Sequence, residues 1–195
     1  RVAVAGWGGG SAGGPDVAAS LGTLRSGMRP EWISCPFSKL PVSLPMFAVA
    51  GGAKIDRTFH LARQAVGQAL ADDGLLRLPT GCPMGVCLGT TVACQLNDIP
   101  FYAEYRATGN PALEPAERFA AGSLAERVAR EIQATGPVRT IVNACSSGTD
   151  AMGVAMAWLN AGLCDAVVAG GADELSAIPT VGFYALGLTS PEPCR

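Results

Sequence analysis

Hydrophobic and polar positions along the chain change period repeatedly, which predicts strands and helices taking turns. Four short runs rich in strand-forming residues each end at small or polar residues, and they cover 2–5, 86–88, 139–143 and 165–170. Between these runs lie stretches that we expect to be helical. These helical stretches cover 15–24, a segment from Asp56 to about Asp73-Gly74, 114–134 in one or two pieces, and 147–162. The alternation favours an α/β fold with a parallel or mixed sheet.

The helix that begins at Asp56 has the clearest amphipathic pattern. Its apolar face and its polar face are separated along the predicted helix. The apolar set is Phe59, Ala62, Val66, Ala69 and Leu70, and the polar set is Arg57, Arg63, Gln64 and Gln68. Further along, Ser123 and Glu126 have the spacing of a capping box, which predicts a helix start at Ser123.

Two segments, 27–55 and 97–115, have no clean period, and we predict irregular insertions there within a single domain covering 1–195. The helix over 147–162 has the opposite character. From Ala151 to Ala161 it carries no charge and has apolar residues on every side. Such a helix is expected to lie buried between layers.

Composition sets limits on function. The chain has 195 residues, of which 49% are hydrophobic and 15% charged, so it can bury a substantial core. A net charge of −2 gives no reason to expect a nucleic acid or an anionic membrane as partner. The longest uncharged run, 78–97, contains prolines and glycines, so we expect no membrane span. Nor do residues 1–6 have the pattern of a signal peptide.

The seven cysteines are an odd number without a C-x-x-C pair, and His60 is the only histidine. This arrangement predicts free thiols in a reducing, cytoplasmic compartment and no metal site. We expect six of the seven to be small buried residues. His60, on the predicted helix after Asp56, is interpreted as a surface or packing residue.

Cys145 is the exception among the cysteines. It follows the strand 139–143 and precedes the small residues that open the next helix. At a helix N-terminus, unpaired N–H groups and the positive end of the dipole favour thiolate over thiol. The same N–H groups can stabilise an oxyanion when sulfur attacks a carbonyl. The pattern therefore predicts an acyl-transferring cysteine.

Two rival motifs are weaker. Glycines follow the first strand over 6–10, but the third glycine of a dinucleotide-binding turn is missing, and Gly13-Gly14-Pro15 intervenes before any helix. Asp173 and Glu174 are adjacent, so on an extended chain they point to opposite faces and form a poor acid–base pair.

Several segments together resemble the β-ketoacyl-acyl-carrier-protein synthases of fatty-acid and polyketide synthesis. The resemblance is strongest over 137–195 and weaker over 27–135. It rests on the opening strand and glycine turn, Cys145 with its flanks, Asn160 to Gly171, Gly182 to Leu186, Leu188-Thr189-Ser190 and Pro193-Cys194-Arg195. Asn143 stands where threonine is commoner in the family.

The resemblance implies a thiolase-like layered α/β/α fold, of which this chain is the N-terminal half of a duplicated core. It implies acyl transfer from the phosphopantetheine of an acyl carrier protein to Cys145, followed by decarboxylative Claisen condensation with a malonyl carrier. Cys145 aligns with the nucleophile and its backbone N–H with one oxyanion donor. Val92, Phe183 and Phe119 align with acyl-pocket positions, Phe119 with one contributed across a dimer, although ordinary core packing is the commoner role for such residues. No bound cofactor or metal is implied.

Partners follow from the same resemblance. Strand 140–143 corresponds to one that pairs with its own copy, which implies a homodimer. The family's two histidines and second oxyanion donor belong to a C-terminal half that this sequence, ending at Arg195, lacks, and His60 cannot replace them. We therefore expect this chain alone to be inactive.

Two other interpretations stay open. One is a non-catalytic partner subunit of a synthase heterodimer, against which Cys145 counts because such partners lack the nucleophile. The other is a thiolase-type acyltransferase acting on coenzyme A thioesters.

Overall fold

The computed structural model describes residues 2–36, 44–52, 55–72, 81–93 and 98–192. The described helices are α1 (Val17–Ser26), α2 (Arg57–Asp72), α3 (Asp98–Thr108), α4 (Glu114–Ala120), α5 (Leu124–Glu131), α6 (Ser147–Asn160) and α7 (Ala177–Ala185). The described strands are β1 (Ile33–Ser34), β2 (Pro45–Met46), β3 (Met84–Gly89), β4 (Val138–Ile141) and β5 (Ala166–Gly171). Cys94, Cys194, the two lysines Lys39 and Lys54, and the predicted helix end at Asp73-Gly74 lie outside the described residues.

A parallel sheet at the centre of the molecule has the order β4-β3-β5. Val86 of β3 pairs in register with Val138 on one side and with Val168 on the other. Parallel neighbours require crossover connections, and the helices that precede and follow β4 supply them. All three strands therefore end at the same edge of the sheet.

Alternate side chains of β3 point to the two faces of the sheet and meet different helices. Val86 and Leu88 pack with residues of α2 and α5, whereas Cys87 packs with Ala151 and Ala155 of α6. Both faces of the strand are thus covered, as expected for a nearly continuous apolar run in a parallel sheet. The predicted layered α/β/α arrangement is confirmed.

The start of α6 lies directly on the strand ends through backbone contact. A Cβ placed on Gly89 would lie 2.5 Å from the nitrogen of Gly148 and nearer still to the carbonyl of Ser147. A Cβ on Gly171 would lie 3.1 Å from the Cα of Gly148. Only glycine at Gly89 permits so close an approach. The first turn of α6 is thereby fixed against β3 and β5.

The expectation that α6 is buried on every side was wrong for the described part of the chain. Ser147, Ala151 and Ala155 are buried against the sheet, but Met152 and Met156 are 51% and 52% exposed. The physical reason is that the described helices on this side provide no second layer over the outer face of α6. An apolar helix face is left open there.

We expect the isolated chain to self-associate, because the open face of α6 exposes contiguous apolar surface. Replacing both Met152 and Met156 by Glu should lower the associated fraction measured by analytical ultracentrifugation. Met28→Glu is the matched control, since Met28 is also exposed but lies after α1. A wild-type chain that sediments as a single monomer and melts cooperatively would contradict this expectation.

The prediction of a strand over 2–5 was wrong: this segment forms no strand in the structure, and its valines are exposed. A strand needs a neighbour for its backbone groups, and the described sheet offers this segment none. The glycines that follow lie on α2 instead. Gly9 N–H donates to the Gln68 side chain at 2.9 Å, and Gln64 and Gln68 both donate to the carbonyl of Pro15.

The predicted irregular insertion over 97–115 was wrong in its first part, since α3 occupies Asp98–Thr108. No residue of α3 is buried. A helix that does not pack on a core needs no one-sided apolar pattern, which is the signal by which sequence analysis detects helices. The segment 27–55 is largely irregular where it is described, with β1 and β2 forming a short antiparallel pair. Residues 114–134 form two helices, and the capping box is present, with Ser123 N–H donating to Glu126 at 2.7 Å.

Candidate active site

Cys145 lies between the end of β4 and the start of α6. A single 3-10 turn, Ala144–Ser146, joins the strand to the helix, and the cysteine in its middle is exposed. The sulfur is therefore at the N-terminal end of a 14-residue helix, on the edge where the parallel strands end. This is the position that the sequence pattern indicates.

The buried Ser147 hydroxyl closes the turn locally. It accepts a hydrogen bond from the backbone N–H of Asn143 at 2.8 Å and donates to the carbonyl of Ala144 at 2.7 Å. Ala144 itself has φ 48°, in the left-handed region that residues other than glycine rarely adopt. The residue directly before Cys145 is therefore held in a costly conformation by its neighbours.

A polar cluster lies on one side of the cysteine. The Asn143 amide donates to the Asp150 carboxylate at 2.7 Å, and the Ser146 hydroxyl donates to the same carboxylate oxygen at 2.8 Å. These two hydrogen bonds lower the pKa of Asp150 below its usual value. Asn143 thus helps to keep a carboxylate ionised in the first turn of α6.

A second set of contacts approaches from the ends of β3 and β5. One carboxylate oxygen of Asp173 accepts from the Thr90 hydroxyl at 2.7 Å and from the N–H groups of Thr91 and Val92 at 2.8 and 3.0 Å. The Thr91 hydroxyl in turn donates to the carbonyl of Ala144 at 3.0 Å. The turn after β3 is therefore connected both to the segment after β5 and to the residue before Cys145.

The residue after Asp173 is anchored separately. Glu174 is buried and accepts from the N–H of Thr58 at 3.1 Å, while its own N–H donates to the Thr58 hydroxyl at 3.3 Å. These contacts tie the segment after β5 to the first turn of α2. The adjacent carboxylates therefore hold two different parts of the fold: Asp173 binds the turn after β3, and Glu174 binds the first turn of α2.

The three predicted pocket residues lie on different elements and differ in exposure. Val92 is buried in the turn after β3, adjoining Thr91. Phe183, on α7, is 45% exposed, and Phe119, on α4, is 80% exposed. Their assignment to an acyl pocket stays a prediction.

Sequence reasoning missed the roles of Thr91, Ser147, Asp150 and Asp173. Ser147 and Asp150 are close to the cysteine in sequence, so their places in the first turn of the predicted helix could have indicated that they lie near it. Thr91 and Asp173 were not, since Asp173 lies 81 to 83 positions from its three partners. No spacing rule links positions so far apart.

The other candidate residues have structural positions. His60 is exposed on α2 with its ring 5.6 Å from that of Phe59, as expected for a surface residue. Cys87 and Cys164 are buried, and burial raises the pKa of both thiols. Cys35 and Cys82 are half-buried. Within the described ranges, no group of three or more metal-ligating side chains occurs, and no helix is both long and apolar enough to cross a membrane.

Comparisons with known proteins find relatives both in sequence and in structure. Residues 46–195 match the family model "Beta-ketoacyl synthase, N-terminal domain". The tetracenomycin polyketide synthase ketoacyl synthase alpha subunit of Streptomyces glaucescens is 32% identical over 145 residues, which is 69% of this chain and 34% of that protein.

Solved structures show the same fold. A ketosynthase in complex with its chain length factor, from Xenorhabdus doucetiae, has a TM-score of 0.81 at 21% identity, covering 98% of this chain and 52% of that one. A β-ketoacyl synthase from Burkholderia phymatum has a TM-score of 0.80 at 24% identity, covering 98% and 51%. The chain spans between 34% and 50% of the length of the curated relatives it matches. The chain belongs to the β-ketoacyl synthase family and corresponds to its N-terminal domain.

Proposed function

We propose that this chain carries the acyl-accepting cysteine of a polyketide-type β-ketoacyl synthase. The observation that carries the proposal is the placement of Cys145, exposed in the turn that starts α6. The curated relatives are polyketide ketosynthases, which favours a polyketide over a fatty-acid chain as the product.

In the first step, the sulfur of Cys145 attacks the carbonyl carbon of an acyl group held as a thioester on the phosphopantetheine arm of an acyl carrier protein. A carbon–sulfur bond forms to Cys145 and the one to the carrier breaks. The proton lost by the cysteine ends on the departing carrier thiol. The backbone N–H of Cys145 donates to the oxyanion that forms between these events.

In the second step, a malonyl carrier loses carbon dioxide, and its carbanion attacks the acyl group on Cys145. The new carbon–carbon bond replaces the thioester bond, so the cysteine is released as thiolate. This step needs the histidines and the second oxyanion donor that the family carries in its C-terminal half. We therefore infer that the present chain acts with a C-terminal half of the same fold and is inactive alone.

The open apolar face of α6 supports such a partner, because Met152 and Met156 remain half exposed without one. The outer edge of β4 supports a second contact, with another copy or a chain of the same fold. Within the described sheet β4 pairs only with β3, and Val142 just beyond it is 66% exposed. The heavily exposed Phe119 agrees with a pocket residue contributed across such a dimer.

The second candidate function is a non-catalytic subunit of a synthase heterodimer. It is favoured by one observation, that the solved relative from Xenorhabdus doucetiae is a complex of a ketosynthase and a chain length factor. The exposed thiol at Cys145 favours the catalytic role over this one.

The proposal is tested by incubating the chain, alone and together with a C-terminal half of the family, with a hexanoyl thioester on an acyl carrier protein. Peptide mapping by mass spectrometry should find hexanoyl on Cys145 when both halves are present. Blocking the thiol first with iodoacetamide should prevent the adduct. If no pairing gives an acyl-Cys145 peptide, the catalytic proposal is wrong and the non-catalytic subunit is favoured.

A further inference from the structure

The peptide bond between Ala144 and Cys145 is held from two sides. The carbonyl of Ala144 accepts from the Ser147 hydroxyl at 2.7 Å and from the Thr91 hydroxyl at 3.0 Å. Ser147 belongs to the helix that follows the cysteine, whereas Thr91 comes from a different strand end. Two hydroxyls on one carbonyl also offset the unfavourable backbone conformation of Ala144.

Fixing this carbonyl fixes the direction of the N–H of Cys145. The peptide group is planar and trans, so the C=O of Ala144 and the N–H of Cys145 lie in one plane and point in opposite directions. A rotation that moved the N–H would have to move the carbonyl away from both hydroxyls. Hydrogen bonds to the carbonyl also polarise the peptide and strengthen its N–H as a donor.

Thr91 is itself held by Asp173. The carboxylate accepts from the N–H of Thr91 and from both neighbours, the Thr90 hydroxyl and the Val92 N–H. The Thr90 hydroxyl also accepts from the N–H of Ala93 at 3.0 Å, which closes the turn. Hydrogen bonds to an ionised acceptor are roughly twice as strong as neutral ones. The segment that carries Asp173 is anchored next to it, through the buried contacts of Glu174 with Thr58.

We propose that Thr91, held in place by Asp173, is a positioning residue that aims the backbone N–H of Cys145 at the oxyanion formed during acyl transfer. This inference rests on the proposed function. It adds Thr91 and Asp173 as residues that act on the reaction through the peptide bond before the cysteine. Neither residue takes or gives a proton in the reaction.

Two reactions at the same sulfur test the inference. Acyl transfer from a hexanoyl thioester of N-acetylcysteamine passes through an oxyanion, whereas alkylation by iodoacetamide displaces iodide at a saturated carbon and forms none. Both rates are measured on the full chain together with a C-terminal half, by mass spectrometry of the Cys145 peptide. Because both reactions use the same thiol, a change in the ratio of the acylation rate to the alkylation rate reports on the oxyanion donor alone.

Thr91→Val, which keeps the shape and removes the hydroxyl, should slow acyl transfer about 10- to 100-fold, somewhat less than the loss of a whole oxyanion donor. Alkylation should stay within about twofold, because no oxyanion is formed. Thr91→Ser restores a hydroxyl and should recover most of the acylation rate. Thr108→Val is the matched control, since the Thr108 hydroxyl also donates to a backbone carbonyl but lies on α3.

Asp173→Ala should change the same ratio in the same direction, and Asp173→Asn, which keeps an acceptor oxygen, should change it less. These variants decide the question if Thr91→Val does not fold. Equal acylation by Thr91→Val and wild type, or equal slowing of both reactions, would overturn the inference. A wild-type protein that is alkylated at Cys145 but never acylated would overturn the proposed function, and the inference with it.

Discussion

A Cys145→Ala variant is expected to take up no acyl group from a carrier thioester, while its thermal unfolding stays close to that of wild type. Acyl transfer to the enzyme requires a nucleophile, and alanine has none. Stability should change little because Cys145 is exposed and its side chain fills no part of the core. Intact-mass measurement after incubation with hexanoyl carrier, in the presence of a C-terminal half, gives the first quantity, and a melting curve gives the second.

The matched control for this variant is Cys82→Ala. Cys82 is a half-buried thiol at the opposite end of β3, where it donates weakly to Asp165 at 3.5 Å, and burial raises its pKa. We expect Cys82→Ala to be acylated like wild type. Acyl uptake by Cys145→Ala, or its loss in Cys82→Ala, would show that the accepting thiol is not Cys145.

Gly89→Ala is expected to lower the free energy of unfolding by about 3 kcal/mol, at the upper end of what over-packing costs. The added methyl group would meet backbone atoms of Ser147 and Gly148, which cannot move aside as a flexible side chain can. The strand and the first helical turn would have to separate, and the turn that holds Cys145 would move with them. The variant should therefore also lose acyl uptake.

Urea denaturation followed by circular dichroism measures the change in stability. Gly67→Ala is the control, because Gly67 is an exposed position of α2 where an added Cβ meets nothing within 4 Å. Alanine is the better helix former, so this variant should gain about 0.5–1 kcal/mol. Wild-type stability in Gly89→Ala would mean that the close contact between β3 and α6 is not present in solution.

The order of helices and strands around the cysteine could be predicted because its signals are local. A short strand-forming run, a cysteine and small residues that open a helix lie within a few positions of one another in the sequence. The capping box at Ser123 and the amphipathic helix α2 are signals of the same kind, and each is confirmed.

What could not be predicted depends on partners distant in the chain or outside it. The residues over 2–5 have strand character, but period alone does not say whether a neighbouring strand exists. The apolar residues on every side of α6 predicted a helix buried on both faces, but the face that carries Met152 and Met156 is exposed to solvent in this chain. The part played by Asp173 depends on contacts across more than 80 positions, which its adjacency to Glu174 did not suggest.

The contact of α6 with the sheet through Gly89, Gly148 and Gly171 is made by backbone atoms. A backbone contact of this kind does not depend on the identity of the side chains on the open face of the helix. Residues on the open face of α6, such as Met152 and Met156, can consequently be exchanged in evolution or by engineering without moving the sulfur. The placement of Cys145 is thereby separated from the exposed apolar surface of α6, so each can diversify independently.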